Sequence, residues 1–199
     1  AVASGPRARR LVGIAAAAVV VAIVALLGLL AFKRNADYQD EGAFWADAAA
    51  KRPMNARAHH NFGIILNRRR QYDQAIERFK TAISLDPQFY LAYHAMGIAL
   101  VEKGMTAEGM EQFRQALRVY PEFADAYDNI GRALFKSGDL IGAVRHYEKA
   151  LEYNPRFVEA HNNLGAALFE LRQYPEAVQH YQEALRIKPD LAEVHFNLA

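Results

Sequence analysis

"AHNNLGAALFELRQYPEAVQHYQEALRIKP", residues 160–189, holds two amphipathic helices in succession. Small and apolar residues fall at helical spacing through "AHNNLGAALFEL" and again through "PEAVQHYQEALRI". Pro189 cannot continue the second helix and biases the residue before it away from helical backbone. The same arrangement recurs upstream. Prolines stand at 53, 87, 121, 155 and 189 and glycines at 63, 97, 131 and 165, each series at an interval of 34. A fixed period of that size signals a stacked array whose unit is a pair of antiparallel helices.

The residue types explain the pairing. Gly63, Gly97, Gly131 and Gly165 carry no side chain where paired helices must approach closely. Ala75, Gly109, Ala143 and Ala177 keep the second helix thin at its crossing. Phe79, Phe113, Tyr147 and Tyr181 are placed to fill the space between neighbours, with Ala82, Ala116, Ala150 and Ala184 one turn further along that face. No unit buries its apolar face alone, so stacking completes the core.

This pattern resembles the tetratricopeptide repeat family over residues 38–199. The resemblance implies an all-α, right-handed solenoid with four units at 56–89, 90–123, 124–157 and 158–191, and the start of a fifth at 192–199. Two family positions differ. The frequent tryptophan four residues before the glycine is His59, Tyr93, Tyr127, His161 and His195 here. The tyrosine three residues after it is Leu66, Leu100, Leu134 and Leu168. Both changes alter packing detail and leave the fold intact.

Ahead of the array, Leu11 to Phe32 pass without a charge. As a helix those residues reach roughly 33 Å, enough for a bilayer core of about 30 Å. The stretch is too long for a signal peptide and has no small-x-small cleavage site. It reads as a transmembrane helix behind a basic flank, 1–10, with Arg9, Arg10, Lys33 and Arg34 as interfacial anchors. One more basic residue before the span than after it favours a cytoplasmic N-terminus with the repeats outside; the expected location is a bacterial inner membrane with the repeats on the periplasmic side. Small residues at Gly13, Ala17, Ala18, Ala22 and Ala25 would admit another transmembrane helix, and so a partner subunit.

Residues 33–37 form a short linker. Shifted by one period, Tyr38 matches Tyr72, Trp45 matches Phe79, Ala48 matches Ala82 and Pro53 matches Pro87, so 38–53 reads as a capping half-repeat. Glu41 stands where Ala75 would be. The chain begins with Ala1 and stops at "HFNLA", inside a unit, which suggests that the native protein extends at both ends. The joint "FKRNADYQDEGAFWADAAAKRP", residues 32–53, followed by "MNARAHHNFG", also resembles the junction of polytopic transmembrane-and-tetratricopeptide O-mannosyltransferases. That resemblance implies a longer glycosyltransferase whose acidic catalytic loops lie upstream and whose repeats present acceptor proteins. An accessory subunit of a membrane assembly is a third reading.

The charges fix what the folded part can attract. Of the 24 basic residues, five (Arg7, Arg9, Arg10, Lys33 and Arg34) flank the apolar run, leaving 19 against 22 acidic residues. That balance argues against a nucleic-acid partner. With no cysteine there is no thiolate metal site and no thiol nucleophile. The serines, Ser4, Ser84 and Ser137, lack a nucleophile-elbow context. "GMTAEG", 104–109, has phosphate-loop spacing, but Met110 stands where lysine is required. His59 and His60 point apart on one helix, and His60 with His94 lacks a third ligand. His146 and His180 are an echo of duplication, and Arg68, Arg69 and Arg70 form a turn near the bilayer that reads as solvated, the other reading being contact with anionic headgroups. No catalytic residue, cofactor or metal is expected.

The first helices carry the expected site. Asn61, Asn129, Asn163 and Asn197 stand two residues before the small residue in four of five units, and Ala95 breaks the series. An asparagine ladder offers donors and acceptors to an extended peptide without reading its sequence. The other reading is that these side chains bridge adjacent helices. His60, His94, Asp128 and Asn162 lie beside the ladder, with Arg57, Leu91, Asp125 and Glu159 further out, so polarity passes from basic to acidic. Arg132, Lys136, Phe135 and Phe169 would tune selection. The expected function is a membrane-anchored scaffold binding a protein or peptide in this groove.

Overall fold

The computed structural model describes Val19, residues 23–28 and residues 41–197. From residue 41 on, ten helices follow one another, with no strand among the described residues: α1 (Glu41–Lys51), α2 (Ala56–Arg68), α3 (Tyr72–Leu85), α4 (Tyr90–Glu102), α5 (Thr106–Val119), α6 (Ala124–Ser137), α7 (Leu140–Tyr153), α8 (Val158–Glu170), α9 (Tyr174–Ile187) and α10 (Ala192–Asn197). Each packs on its neighbours in sequence, and the first helices α2 and α4, like α6 and α8, also touch. This is the stacked helical-pair solenoid that the 34-residue period predicts.

Each pair is locked by a ring laid on a glycine. A Cβ added to Gly63 would stand 2.6 Å from Phe79 Cε1, one on Gly97 2.5 Å from Phe113 Cε1, one on Gly131 2.6 Å from Tyr147 Cε1, and one on Gly165 2.7 Å from Tyr181 Cε1. Nothing larger than hydrogen fits beneath those rings. The sequence placed the rings between neighbouring units; in the structure each lies first on the glycine of its own unit. Phe79 then extends into a core shared with Met96, Ala99 and Leu100 of the next one. Burying such a ring stabilises by roughly 2–3 kcal/mol, and the contact recurs in all four units.

The turns within units repeat as well. Arg70, Gly104, Gly138 and Arg172, 34 apart, all have positive φ, at 59°, 95°, 86° and 62°. Around the first, Gln71 N–H donates to Leu66 O at 2.9 Å and Arg70 N–H to Asn67 O at 2.8 Å, the Schellman pattern that closes a helix C-terminus. The other three turns repeat those bonds. Glycine adopts this conformation freely, whereas the two arginines are strained in it.

Within α1 the buried positions are Gly42 and Ala49, while Trp45 is half-buried. No helix among the described residues is long and apolar enough to cross a membrane. The span read at 11–32 falls mostly outside them, as do Arg9, Arg10, Lys33, Arg34 and the linker. Of that span, Val19 and residues 23–28 are described, helical and exposed.

Candidate functional site: a groove along the first helices

The asparagines join consecutive units. Asn129 Nδ2 donates to His94 Nε2 at 3.0 Å, Asn163 Nδ2 to Asp128 Oδ1 at 2.8 Å, and Asn197 Nδ2 to Asn162 Oδ1 at 3.2 Å. In every case the asparagine reaches back 35 residues, to the residue beside the ladder in the preceding first helix. Asn162 also donates to Glu193 Oε1 at 3.1 Å, and Arg132 Nη1 to Asn129 Oδ1 at 3.3 Å. Asp128 is only 4% exposed, and burial pushes its carboxyl above the usual carboxylate range, with Asn163 and Arg132 pulling it back.

Three hollows lie in series over these bridges. The first, about 320 Å3, is lined by His60, His94, Ile64, Asn67 and Ile98 among others. The second, about 420 Å3, takes Arg132 and Lys136 with Glu102 and Asn129. A third of about 670 Å3 gathers Asp125, Asp128, Glu159 and Glu193 with Asn162 and Asn163. Ile98 lines all three, so the hollows form one trough. Its charge passes from basic, at Arg68 in the first hollow and Arg132 with Lys136 in the second, to acidic in the third. Burial holds the imidazoles of His60 and His94 down at about 4, each further adjusted by a neighbour: His94 for His60, Asp125 for His94. Both are therefore neutral at physiological pH.

Eight of the expected residues thus converge: His60, His94, Asp128, Asn129, Arg132, Lys136, Asn162 and Asn163. Asn61, Asn197, Phe135 and Phe169 are absent from these linings, although Phe169 is half exposed beside Tyr174. Sequence reasoning passed over Ile98, Asn67 and Glu193. Ile98 stands one unit before Arg132 and was legible as the same position; Asn67 and Glu193 join the trough only through stacking.

The histidines in place of the family tryptophan have a separate role. Nε2 of His59, His161 and His195 meets the carbonyl of Pro53, Pro155 and Pro189 at 3.0, 3.1 and 2.9 Å. A carbonyl only accepts, so each Nε2 carries the proton. In His161 this leaves Nδ1 to accept from His180 Nδ1–H at 3.0 Å. These rings pin the turn between units. No group of three or more His, Asp or Glu suited to a metal occurs among the described residues.

Family models for tetratricopeptide repeats match residues 94–140 and 129–192, and a second such model matches 63–104. No curated protein matches the chain. Among solved structures it is similar to MamA, with 22% identity, a TM-score of 0.67, and coverage of 81% of this chain and 94% of that one. It is also similar to PilF of Pseudomonas aeruginosa, with 21% identity, a TM-score of 0.70, and coverage of 85% and 77%. At such identity these neighbours establish the fold alone. Neither they nor the family models carry the O-mannosyltransferase resemblance of the joint. With both models spanning most of the helical array, the chain belongs to the tetratricopeptide repeat family.

Proposed function

We propose that the chain is a membrane-anchored scaffold that holds an extended polypeptide in the trough along its first helices. The continuity of the trough carries this reading: one side chain, Ile98, lines three hollows of different polarity. An occupant crossing them meets Arg68, then Arg132 and Lys136 beside Glu102, then a run of carboxylates. A polypeptide that matches has an acidic segment followed by a basic one in that order. Because the asparagine amides already bridge helices, selection rests on these charges and the hollows more than on backbone contacts to the ladder.

Peptides selected on the wild-type chain from a random display library test this. They should compete with one another and lose at least tenfold in affinity on the Arg132→Glu/Lys136→Glu variant. Unchanged affinity in that variant overturns the groove.

Anchoring rests on the uncharged run at 11–32, whose described residues expose Ile23, Val24, Leu26 and Leu27. The full chain should stay with the bilayer through alkaline carbonate extraction, and a chain lacking residues 1–40 should be released. Release of the full chain overturns the anchor.

A further inference from the structure

Three of the four carboxylates in the third hollow share one repeat position. Asp125, Glu159 and Glu193 follow at intervals of 34 on α6, α8 and α10, where the first two units have Arg57 and Leu91. Asp128 stands one turn on from Asp125, at a position that holds His60 and His94 in earlier units and Asn162 in the next. All four carboxylates line one cavity of about 670 Å3, with Ile98 and Phe157 as its apolar walls.

The chain itself does not neutralise them. None of the four forms an ion pair among the described residues. Arg132, the cation in the same lining, turns its Nη1 to Asn129 Oδ1, and His94 beside it is neutral at physiological pH. Asp125, Glu159 and Glu193 are exposed, as an ordinary solvated rim would be. Asp128 differs, being only 4% exposed. Its Oδ1 takes the Asn163 amide at 2.8 Å, and its Oδ2 takes no hydrogen bond from the described residues. The side-chain polar atoms that are both sealed and unpartnered there are His59 Nδ1, His60 Nδ1 and Asn67 Oδ1. Asp128 Oδ2 is not one of them, so it keeps surface, and that surface opens into the hollow. Burial pushes the Asp128 carboxyl up, Asn163 and Arg132 draw it back, and Glu159 and Asp125 push it up again. A buried carboxylate with one reachable, unpaired oxygen among like charges favours a ligand group that is cationic and carries donors. Among the described residues no three such groups are placed to hold a metal ion, so the geometry favours a cation carried on a chain.

Resting on the groove reading above, we propose that this hollow receives a lysine side chain of the bound polypeptide, its ammonium donating to Asp128 Oδ2. The methylene stem lies along Ile98 and Phe157. With one oxygen of Asp128 already held, the two-oxygen grip of a guanidinium is not offered at the buried carboxylate. An ammonium takes the single oxygen and has two donors left for Asp125 and Glu159. An uncharged side chain of the same length leaves all of these carboxylates unpaired. The hollow is thus the anchoring point of the basic segment, while Arg132 and Lys136 meet the acidic one.

The test uses the full chain in nanodiscs of zwitterionic lipid with labelled isoleucine methyls, titrated with the N-acetyl amides of lysine, arginine and norleucine. The lysine amide should shift the Ile98 methyls saturably, and the arginine amide should bind less tightly. The norleucine amide, which has the stem without the charge, should be about tenfold weaker. Asp128→Asn keeps an acceptor for the Asn163 amide while removing the charge, and should weaken the lysine amide about tenfold. Asp125→Asn/Glu159→Gln, at exposed positions, should weaken it roughly two- to fivefold. Unmoved Ile98, lysine and norleucine amides alike, arginine equal to or tighter than lysine, or an undiminished response in either variant each overturns the subsite. Library peptides that lose affinity on Arg132→Glu/Lys136→Glu but bind Asp128→Asn as they bind the wild type leave the groove standing without it. Peptides indifferent to both variants remove both.

Discussion

Asn163 donates to Asp128 across 2.8 Å, and that bond joins the first helices of two consecutive units through a carboxylate that is 4% exposed. Replacing Asn163 with alanine strips a buried acceptor of its donor and should cost about 1–3 kcal/mol. Burial already raises the Asp128 carboxyl and Asn163 opposes that rise, so the variant raises it further. A raised folded-state value contributes stability at low pH that is lost as pH climbs through it. The stability gap between Asn163→Ala and wild type should therefore widen from pH 4 to pH 7 in denaturant titrations. A gap independent of pH would contradict this account of the bridge.

Acid should weaken the first hollow. His60 and His94 titrate at about 4 in the fold against 6.5 when unfolded. A lowered folded-state value gives stability that is present above 6.5 and lost as pH falls towards 4. The loss is on the order of 3 kcal/mol for one imidazole taken alone. His60→Leu should show a visibly smaller drop in denaturation midpoint across that window, and an equal drop would rule His60 out as its source.

Gly131→Ala should cost about 1–3 kcal/mol, because the three atoms nearest its Cβ would all belong to the Tyr147 ring, at 2.6 to 3.1 Å. In the background of Tyr147→Leu the added cost should shrink to a few tenths of a kcal/mol. Thermal melts of the four proteins in that cycle give the coupling directly, and simple additivity would contradict the ring-on-glycine lock.

Arg70→Gly and Arg172→Gly should each stabilise by about 1 kcal/mol, since both arginines hold the left-handed conformation that Gly104 and Gly138 occupy freely. The two gains should add, the sites being three units apart. Destabilisation by either change would mean that the arginine side chain matters more than its backbone.

Much of this was readable without coordinates. The interval of 34 between prolines and between glycines dictated paired helices, their order and their stacking, because one such pair cannot bury its own apolar face. The convergence of His94, Asp128 and Arg132 on one face followed from the same register. The fate of the asparagines did not: a ladder that could hold a peptide and one that bridges helices are written with identical residues. Only the 35-residue reach from Asn129 to His94 shows the amide already engaged.

The sequence by itself determined the repeat, the recurring glycine and ring positions and the apolar run ahead of the array, since these depend on local spacing and side-chain volume; that each ring lies on the glycine of its own unit came from the structure. Tertiary structure alone decided which polar atoms find partners. Ala95 and Asn67 are 28 residues apart, yet stacking brings both to one cavity, and beside it His60 Nδ1 and Asn67 Oδ1 are buried without partners. Hydrogen-bond satisfaction belongs to neighbours in space, and period alone does not specify where a neighbour is missing.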